Sequence, residues 1–291
     1  MSLNNFKPTI WSAKLFTRLQ KNLVFGGIVN RDYEGDIANY GDTVKINEIG
    51  DITVSNYSSG GLLSWQTLSD AQKILLIDQA KSFSFTIDDI DAAQMNPKVM
   101  NAAMQAASYA IADNVDQFIA GLYAGAGITN STYLGTATTP LQVSTGNVLL
   151  NISYLQRYMD EGNVPTQDRF LIIPPWVHQK LLLTEVGGIS ASAEPKVFSD
   201  DVLTSGYVGQ VMGFNLLLSN NVANAGTAAS VISAVMALNR TAISYAGQIS
   251  KIEAVKREST FDEGVKGLYV YGGKVVRPAA LATAYLTEVA G

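Results

Sequence analysis

The chain has 291 residues, 47% apolar and 15% charged, with a formal net charge of −5. That length holds one large domain or two ordinary ones, and so little charge, against ~25% in an average soluble domain, points to surface buried against partners, since obligate interfaces are more apolar than ordinary surface. No Lys/Arg run exceeds Lys256-Arg257, which argues against phosphate-tracking or groove-reading nucleic-acid binding, although a container wall need not grip its contents.

Residues 1–41 read as an arm. A short helix fits Ala13 to Leu23, and the rest, with Gly26-Gly27 and Gly35-Asp36, is extended and irregular. Residues 42–91 are strand-rich: Val44 and Ile46 alternate with polar neighbours, as do Ile52 and Val54, and Phe83, Phe85 and Ile87 face opposite to Ser82, Ser84 and Thr86. Ser58-Ser59-Gly60-Gly61 makes a flexible tip. Two limbs joined by that tip form a long hairpin, which is marginal alone in water and needs a surface to rest on. A long helix is predicted over 97–124. Met100, Met104, Ala107, Ile111, Val115, Phe118 and Leu122 form one apolar stripe at helical spacing. Asn96 suits its cap, Pro97 its first position and Gly125 its end. Its length and one-sided stripe suit the spine of a flat molecule.

A Gly/Thr/Ser-rich connection covers 126–143, followed by a helix over 145–161 with Val148, Leu149, Ile152, Leu155, Tyr158 and Met159 inward. Arg169–Ile173 reads as a fully buried strand. Pro174-Pro175 opens a helix carrying Trp176, Val177 and Leu181, and 184–206 is loop-like. Strands are predicted at 207–212, 214–219 and 230–237, a short helix capped by Asn239 running to Tyr245, then strands at 250–258, 265–271, 273–277 and 281–286. The last strands are expected to pack beside the long helix. The result is an α+β chain with an α/β subdomain inserted at about 140–240.

Chemistry-bearing patterns are sparse. The absence of cysteine excludes disulfides, thiolate metal sites and Cys nucleophiles, and fits a reducing cytosol. His178 is the single histidine, which leaves little room for Ser-His-Asp or zinc arrangements. Asp88, Asp89 and Asp91 lack EF-hand spacing and read as a polar turn. The glycine pairs match neither phosphate-loop pattern, and Gly209 to Gly213 reads as a bend. Tyr269 and Tyr271 sit near Lys266, Lys274 and Arg277, but Asp262 and Glu263 balance them, so cross-strand packing is the reading. Paired carboxylates remain open, with no local signature. No cofactor or metal is expected. The first residues show no secretory pattern, and no apolar stretch approaches the ~18 residues of a spanning helix.

The C-terminal run from Arg257 through Phe261-Asp262-Glu263-Gly264 and Tyr269-Val270-Tyr271-Gly272-Gly273-Lys274 to Arg277-Pro278 resembles the end of tailed-bacteriophage major capsid proteins. Lys7-Pro8-Thr9-Ile10-Trp11-Ser12, Gly41-Asp42-Thr43-Val44, Gly209-Gln210-Val211-Met212-Gly213-Phe214 and Ser219-Asn220 resemble the coat-protein-like branch of that family. The likeness covers nearly the whole chain in element order.

This resemblance implies the Hong Kong 97-type capsid fold: an N-terminal arm (1–41), an extended loop with peripheral-domain strands (42–91), the spine helix and its connection (92–140), an axial domain (141–240) and the peripheral domain's C-terminal strands (241–291). The loop, about 48–82, is expected to lie over an adjacent subunit, with Trp11, Tyr57, Gly60, Gly61 and Trp65 as subunit-interface positions. The implied function is a non-enzymatic shell subunit that forms pentamers and hexamers and encloses double-stranded DNA in a virion assembled in the bacterial cytoplasm. Scaffolding, portal and decoration proteins are its possible partners, besides copies of itself. An arm starting near Met1 suggests that any scaffold is a separate protein. Between Ile52 and Gln72 there is no lysine, with Lys45, Lys73 and Lys81 at the loop's base, which argues against covalent crosslinking. An encapsulin-like nanocompartment keeps the architecture and changes the cargo; a carboxylate-dependent hydrolase is the alternative of another class.

Overall fold

The computed structural model describes residues 23–33, 41–49, 54, 56, 70–88, 97–183, 207–227, 230–256 and 262–289. Its helices are α1 (Phe25–Ile28), α2 (Pro97–Gly121), α3 (Val148–Glu161) and α4 (Pro175–Leu182). Its strands are β1 (Thr43–Ile49), β2 (Asp70–Leu76), β3 (Gln79–Asp88), β4 (Leu141–Val143), β5 (Arg169–Ile173), β6 (Tyr207–Val211), β7 (Phe214–Leu218), β8 (Ser233–Asn239), β9 (Ile243–Lys256), β10 (Asp262–Val275) and β11 (Leu281–Glu288). They form a two-stranded β1-β2 hairpin, a three-stranded sheet β3-β10-β9 and a six-stranded sheet β4-β11-β8-β5-β7-β6. The limbs expected on either side of the glycine tip pair antiparallel, Thr43 opposite Leu76 through Ile49 opposite Asp70.

The six-stranded sheet holds the main core. All seven residues of β8 are buried, and so are Leu171, Ile172 and Ile173 of β5. Such strands need cover on both faces. On one face α3 supplies it with Val148, Ile152, Leu155 and Met159, four of the inward positions its periodicity marks. β6 and β7 meet through a two-residue turn with positive φ at Met212 (48°) and Gly213 (77°), the twist that a tight hairpin requires.

The long helix runs to Gly121 and tightens into a 3₁₀ turn over Leu122–Gly125. Phe118 of the predicted stripe meets Tyr271 of β10 edge-on, at 5.3 Å between ring centroids. Gly125 does end the helical run, and it also packs closely: a Cβ there would lie 2.6 Å from Val275.

Three expectations differ from the structure. The helix predicted from Asn239 to Tyr245 is a tight turn into β9: the Asn239 side-chain oxygen accepts from Thr241 N (3.1 Å) and Thr241 Oγ1 (2.9 Å), an Asx-type turn that directs the chain away from helix. The strands predicted at 265–271 and 273–277 are one strand, β10. Gly272-Gly273 does not turn it; Gly272 lies against the Leu76 carbonyl, where a side chain would collide, and Gly273 lies against Phe118, where a Cβ would be tight at 3.0 Å. β10 packs beside the long helix as expected, but β11 enters the six-stranded sheet, parallel to β4 and antiparallel to β8. Leu281, Ala282, Thr283, Ala284 and Leu286 are all buried, a pattern that only a strand inside a sheet covered on both faces can satisfy. That sheet therefore draws on both sides of residue 240.

Candidate assembly surfaces

Trp11, Tyr57, Gly60, Gly61 and Trp65, the interface positions named from sequence, lie outside the described residues, as do Asp89 and Asp91. Asp88 ends β3 in register with Asp262 of β10. Among the described residues no group of three or more His, Cys, Asp or Glu is placed to hold a metal. His178 sits half-buried on α4, and burial pushes its imidazole pKa below the usual value. Tyr269 and Tyr271 pack on each other and on Tyr245, the cross-strand packing that the sequence indicates.

The surfaces that stand out are apolar. In the β1-β2 hairpin, Val44, Ile46 and Leu75 turn inward onto Ala246, Val270 and Val276, forming a second small core. Lys73 Nζ donates to Val276 O (2.5 Å) and Lys274 Nζ to Ile74 O (3.0 Å), tying the hairpin to the strand beneath. Its other face leaves Ile74 and Leu76 nearly half exposed, and further along the limb Val54 is 92% exposed.

The three-stranded sheet is amphipathic. One face carries Ser82, Ser84 and the charged group Lys251, Glu253 and Lys266, in which Lys266 and Glu253 approach to 2.9 Å. Those cations hold the Glu253 carboxyl below its ordinary range. The other face carries Phe83, Phe85, Val265, Ile252 and Ile249; Phe83 and Phe85 stack at 6.4 Å, and Ile249 and Ile252 are 58% and 54% exposed. A sheet face of this kind is ordinarily covered by a second layer; α2 covers part of it, Phe118 meeting Tyr271 and Ile111 lining a groove with Ile249 and Tyr269.

Tyr154 and Tyr158 of α3 are partly buried against the main core, Tyr158 as its periodicity marks, and cluster with exposed Tyr133, while the Arg157 guanidinium lies over Tyr158 at 5.6 Å. Leu150 on the same helix, and Leu182 and Leu183 at the end of α4, are more than half exposed. Tyr133 and Arg157 are the exposed members of the aromatic grouping, and aromatic-Arg groupings at a surface are typical of protein–protein contacts.

One polar node joins the parts. Asp116, buried on α2, accepts from Gly26 N of α1 (3.3 Å) and from Asn221 Nδ2 (3.0 Å), and that same amide donates to Asp113 (2.8 Å). Burial raises the Asp116 pKa, and the hydrogen bonds from Asn221 and from the backbone of Val24, Phe25 and Gly26 oppose that rise. Sequence reading missed Asp116; its signal was a carboxylate beside Val115, against the apolar stripe. Next to it, α1, α2 and β9-β10 enclose a groove of about 350 Å³ lined by Gly26, Gly27, Ile111, Ala112, Tyr245 and Ile249, among others.

Among the described residues the chain offers the outer face of the β1-β2 hairpin with Ile74 and Leu76, a sheet face with exposed Ile249 and Ile252, and exposed leucines on α3 and α4. That is the surface of a subunit built to join others. Residues 71–284 match the family model described as phage capsid protein, and the chain belongs to this family. The solved structures it resembles agree. One from Mycobacterium phage Che8 is 28% identical, with 97% of this chain and 98% of that one covered at a TM-score of 0.71. The capsid of cyanophage P-SCSP1u is 17% identical over 99% of this chain and 94% of that one, at 0.68. The capsid of Ralstonia phage GP4 is 13% identical over 100% and 98%, at 0.64. No curated protein matches the chain. The fold is the Hong Kong 97-like fold of phage capsid subunits, and the protein is a structural subunit of a capsid shell made of copies of itself.

Proposed function

We propose that this shell is icosahedral, closes from rings of five and six copies, and encloses double-stranded DNA without sequence-specific contacts. The observation that carries the reading is the match to the phage capsid family over residues 71–284. The net charge of −5 and the absence of a basic run suit a wall that does not bind its contents. Head-to-tail contacts that close on themselves generate rings, and rings generate the shell.

In this reading the arm (1–41) and the loop at about 48–82 reach across neighbours, with Trp11, Tyr57, Gly60, Gly61 and Trp65 at the contacts. The spine helix and its connection (92–140), the flanking strands in 42–91 and most of 241–291 form the peripheral part. Residues 141–240, joined by β11, form the axial part around each ring's centre. The lack of lysine between Ile52 and Gln72 favours a shell held by non-covalent contacts. Assembly takes place in the host bacterial cytoplasm, with scaffolding, portal and decoration proteins as further partners. The subunit has no enzymatic role and needs no cofactor.

The test is electron microscopy of the purified protein, wild type and with Ser58–Leu63 deleted. Wild type is expected to form closed particles, and the deletion to leave a folded subunit that assembles poorly. A wild-type protein that stays monomeric overturns the shell; normal particles from the deletion variant overturn the loop's role.

A further inference from the structure

Among the described residues β3 is an edge strand: nothing pairs with its side away from β10. Exposed edges invite pairing with another chain, and proteins blunt them with bulges, proline, charge or cover. The opposite edge of the same sheet, β9, shows such devices. It has a register shift opposite Leu268 and Tyr269, carries Lys251 and Lys256, and is bonded at its start by Asn30, which accepts from Tyr245 N (2.8 Å) and donates to Ile243 O (3.0 Å). β3 has none of them along its centre. Its ten residues pair with β10 without a shift, it contains neither Gly nor Pro, and Lys81 is its only cation. Ser82 and Ser84 are exposed.

The sequence of β3 is also self-complementary. About Ser84 it reads Phe83 and Phe85, then Ser82 and Thr86, then Lys81 and Ile87. Two such strands set antiparallel on a two-fold axis place Ser84 opposite Ser84, each Phe83 opposite the other copy's Phe85, and Ser82 opposite Thr86. Directly opposed residues share a face, so the stacked Phe83-Phe85 pairs of the two copies meet in a cluster of four rings, two on each strand, and the half-buried apolar face becomes continuous across both sheets.

We propose that β3 is a two-fold contact between copies of this chain, in which their edges add strand to strand about Ser84 to form one six-stranded sheet. The inference rests on the reading that the chain assembles into a shell; an icosahedral shell contains two-fold axes, and an isologous contact is the kind that such an axis accepts. The second copy is the occupant because the centre of the edge, Ser82 to Thr86, complements itself in both size and polarity.

The chain has no cysteine, so an introduced thiol can pair only with its own kind. In assembled particles, Ser84→Cys is expected to convert most subunits to covalent dimers on mild oxidation, since directly opposed strand residues lie about 4.5–5.5 Å apart at Cα, within disulfide reach. Should Ser84→Cys fail to assemble, mixed particles of Ser82→Cys and Thr86→Cys supply the same test: the mixture is expected to crosslink, and Ser82→Cys alone to stay monomeric on a non-reducing gel. Particles that form but yield no dimers in either design overturn the strand pairing and leave the shell reading standing. Wild-type protein that forms no particles removes both.

Discussion

Gly272 lies directly against the backbone of Leu76: a Cβ at 272 would overlap the Leu76 carbonyl oxygen and stand 3.0 Å from the Ile77 Cα. This contact brings the hairpin down onto β10 and lets Val44, Ile46 and Leu75 reach Val270 and Val276. Gly267 has a similar relation to Phe83, but there the obstacle is the far edge of a ring on an open face.

The two glycines therefore differ in cost. Gly272→Ala is expected to destabilise by about 2–4 kcal/mol, because a backbone cannot step aside as a side chain does, and overpacking of this kind strains the whole contact. Gly267→Ala should cost less than about 1 kcal/mol, since Phe83 can swing outward. Urea denaturation of the two variants side by side checks the order; equal losses would remove the distinction.

Arg169 is a second place where one side chain holds several groups. Its guanidinium is buried and donates to Asp160 Oδ1 (2.6 Å), to Pro165 O (2.8 Å) and to Val164 O, tying the end of α3 to the start of β5. Arg169→Ala leaves two carbonyls without that donor, and is expected to cost about 2–4 kcal/mol. Arg169→Lys should recover little of it, because an ammonium lacks the planar fork that reaches all three acceptors. A lysine variant as stable as wild type would show that charge alone matters here.

Periodicity located the elements whose burial is one-sided. The stripe from Ile111 through Phe118 and the inward face of α3 are visible because helix geometry repeats them, and Phe83 and Phe85 because strand geometry does. Contacts made by backbone rather than pattern stayed hidden. Gly272-Gly273 has the composition of a turn, and only the nearness of Leu76 and Phe118 makes it a strand interior. Asn239 has the composition of a helix cap, and its bonds to Thr241 make it a strand-to-strand turn. The place of β11 was hidden for a related reason: neighbours in a sheet are chosen by long-range pairing, which short-range spacing does not encode. The candidate surfaces were legible in kind, through low charge and apolar alternation, while Asp116 looked like any helical carboxylate until Asn221, 105 residues away, closed on it.

Asn151 is a buried polar residue whose side-chain Nδ2 has no hydrogen-bond partner, while its backbone N–H donates to Asn147 O. It faces Leu155, Leu171, Val235 and Leu286 beside a space of about 10 Å³, room for one water at most. An unsatisfied buried donor costs about 1–3 kcal/mol, and leucine is the better helix former. Asn151→Leu is thus expected to stabilise the subunit by about 1 kcal/mol, read as a higher urea midpoint with an unchanged slope. A loss of stability would show that the branched side chain overfills the site.

Asp116 sets a pH dependence whose sign follows from its burial. Its folded pKa is raised above the usual carboxylate value, so between the two values the folded chain binds more protons than the unfolded one, and its contribution to stability falls as pH rises. The groups around it are Asp113 on the same helix, which shares the Asn221 amide, and Arg31, Tyr245 and Tyr269 along the groove. Asp116→Asn removes the titration while keeping one oxygen to accept from Gly26 N or Asn221. The difference in stability, wild type minus variant, is therefore expected to grow as pH is lowered from neutrality through the raised folded pKa, and to level off below the ordinary carboxylate pKa of the unfolded chain. Denaturant midpoints of both proteins across that range check it. A difference that shrinks on acidification would mean that the hydrogen bonds from α1 and Asn221 outweigh burial and hold the carboxylate charged.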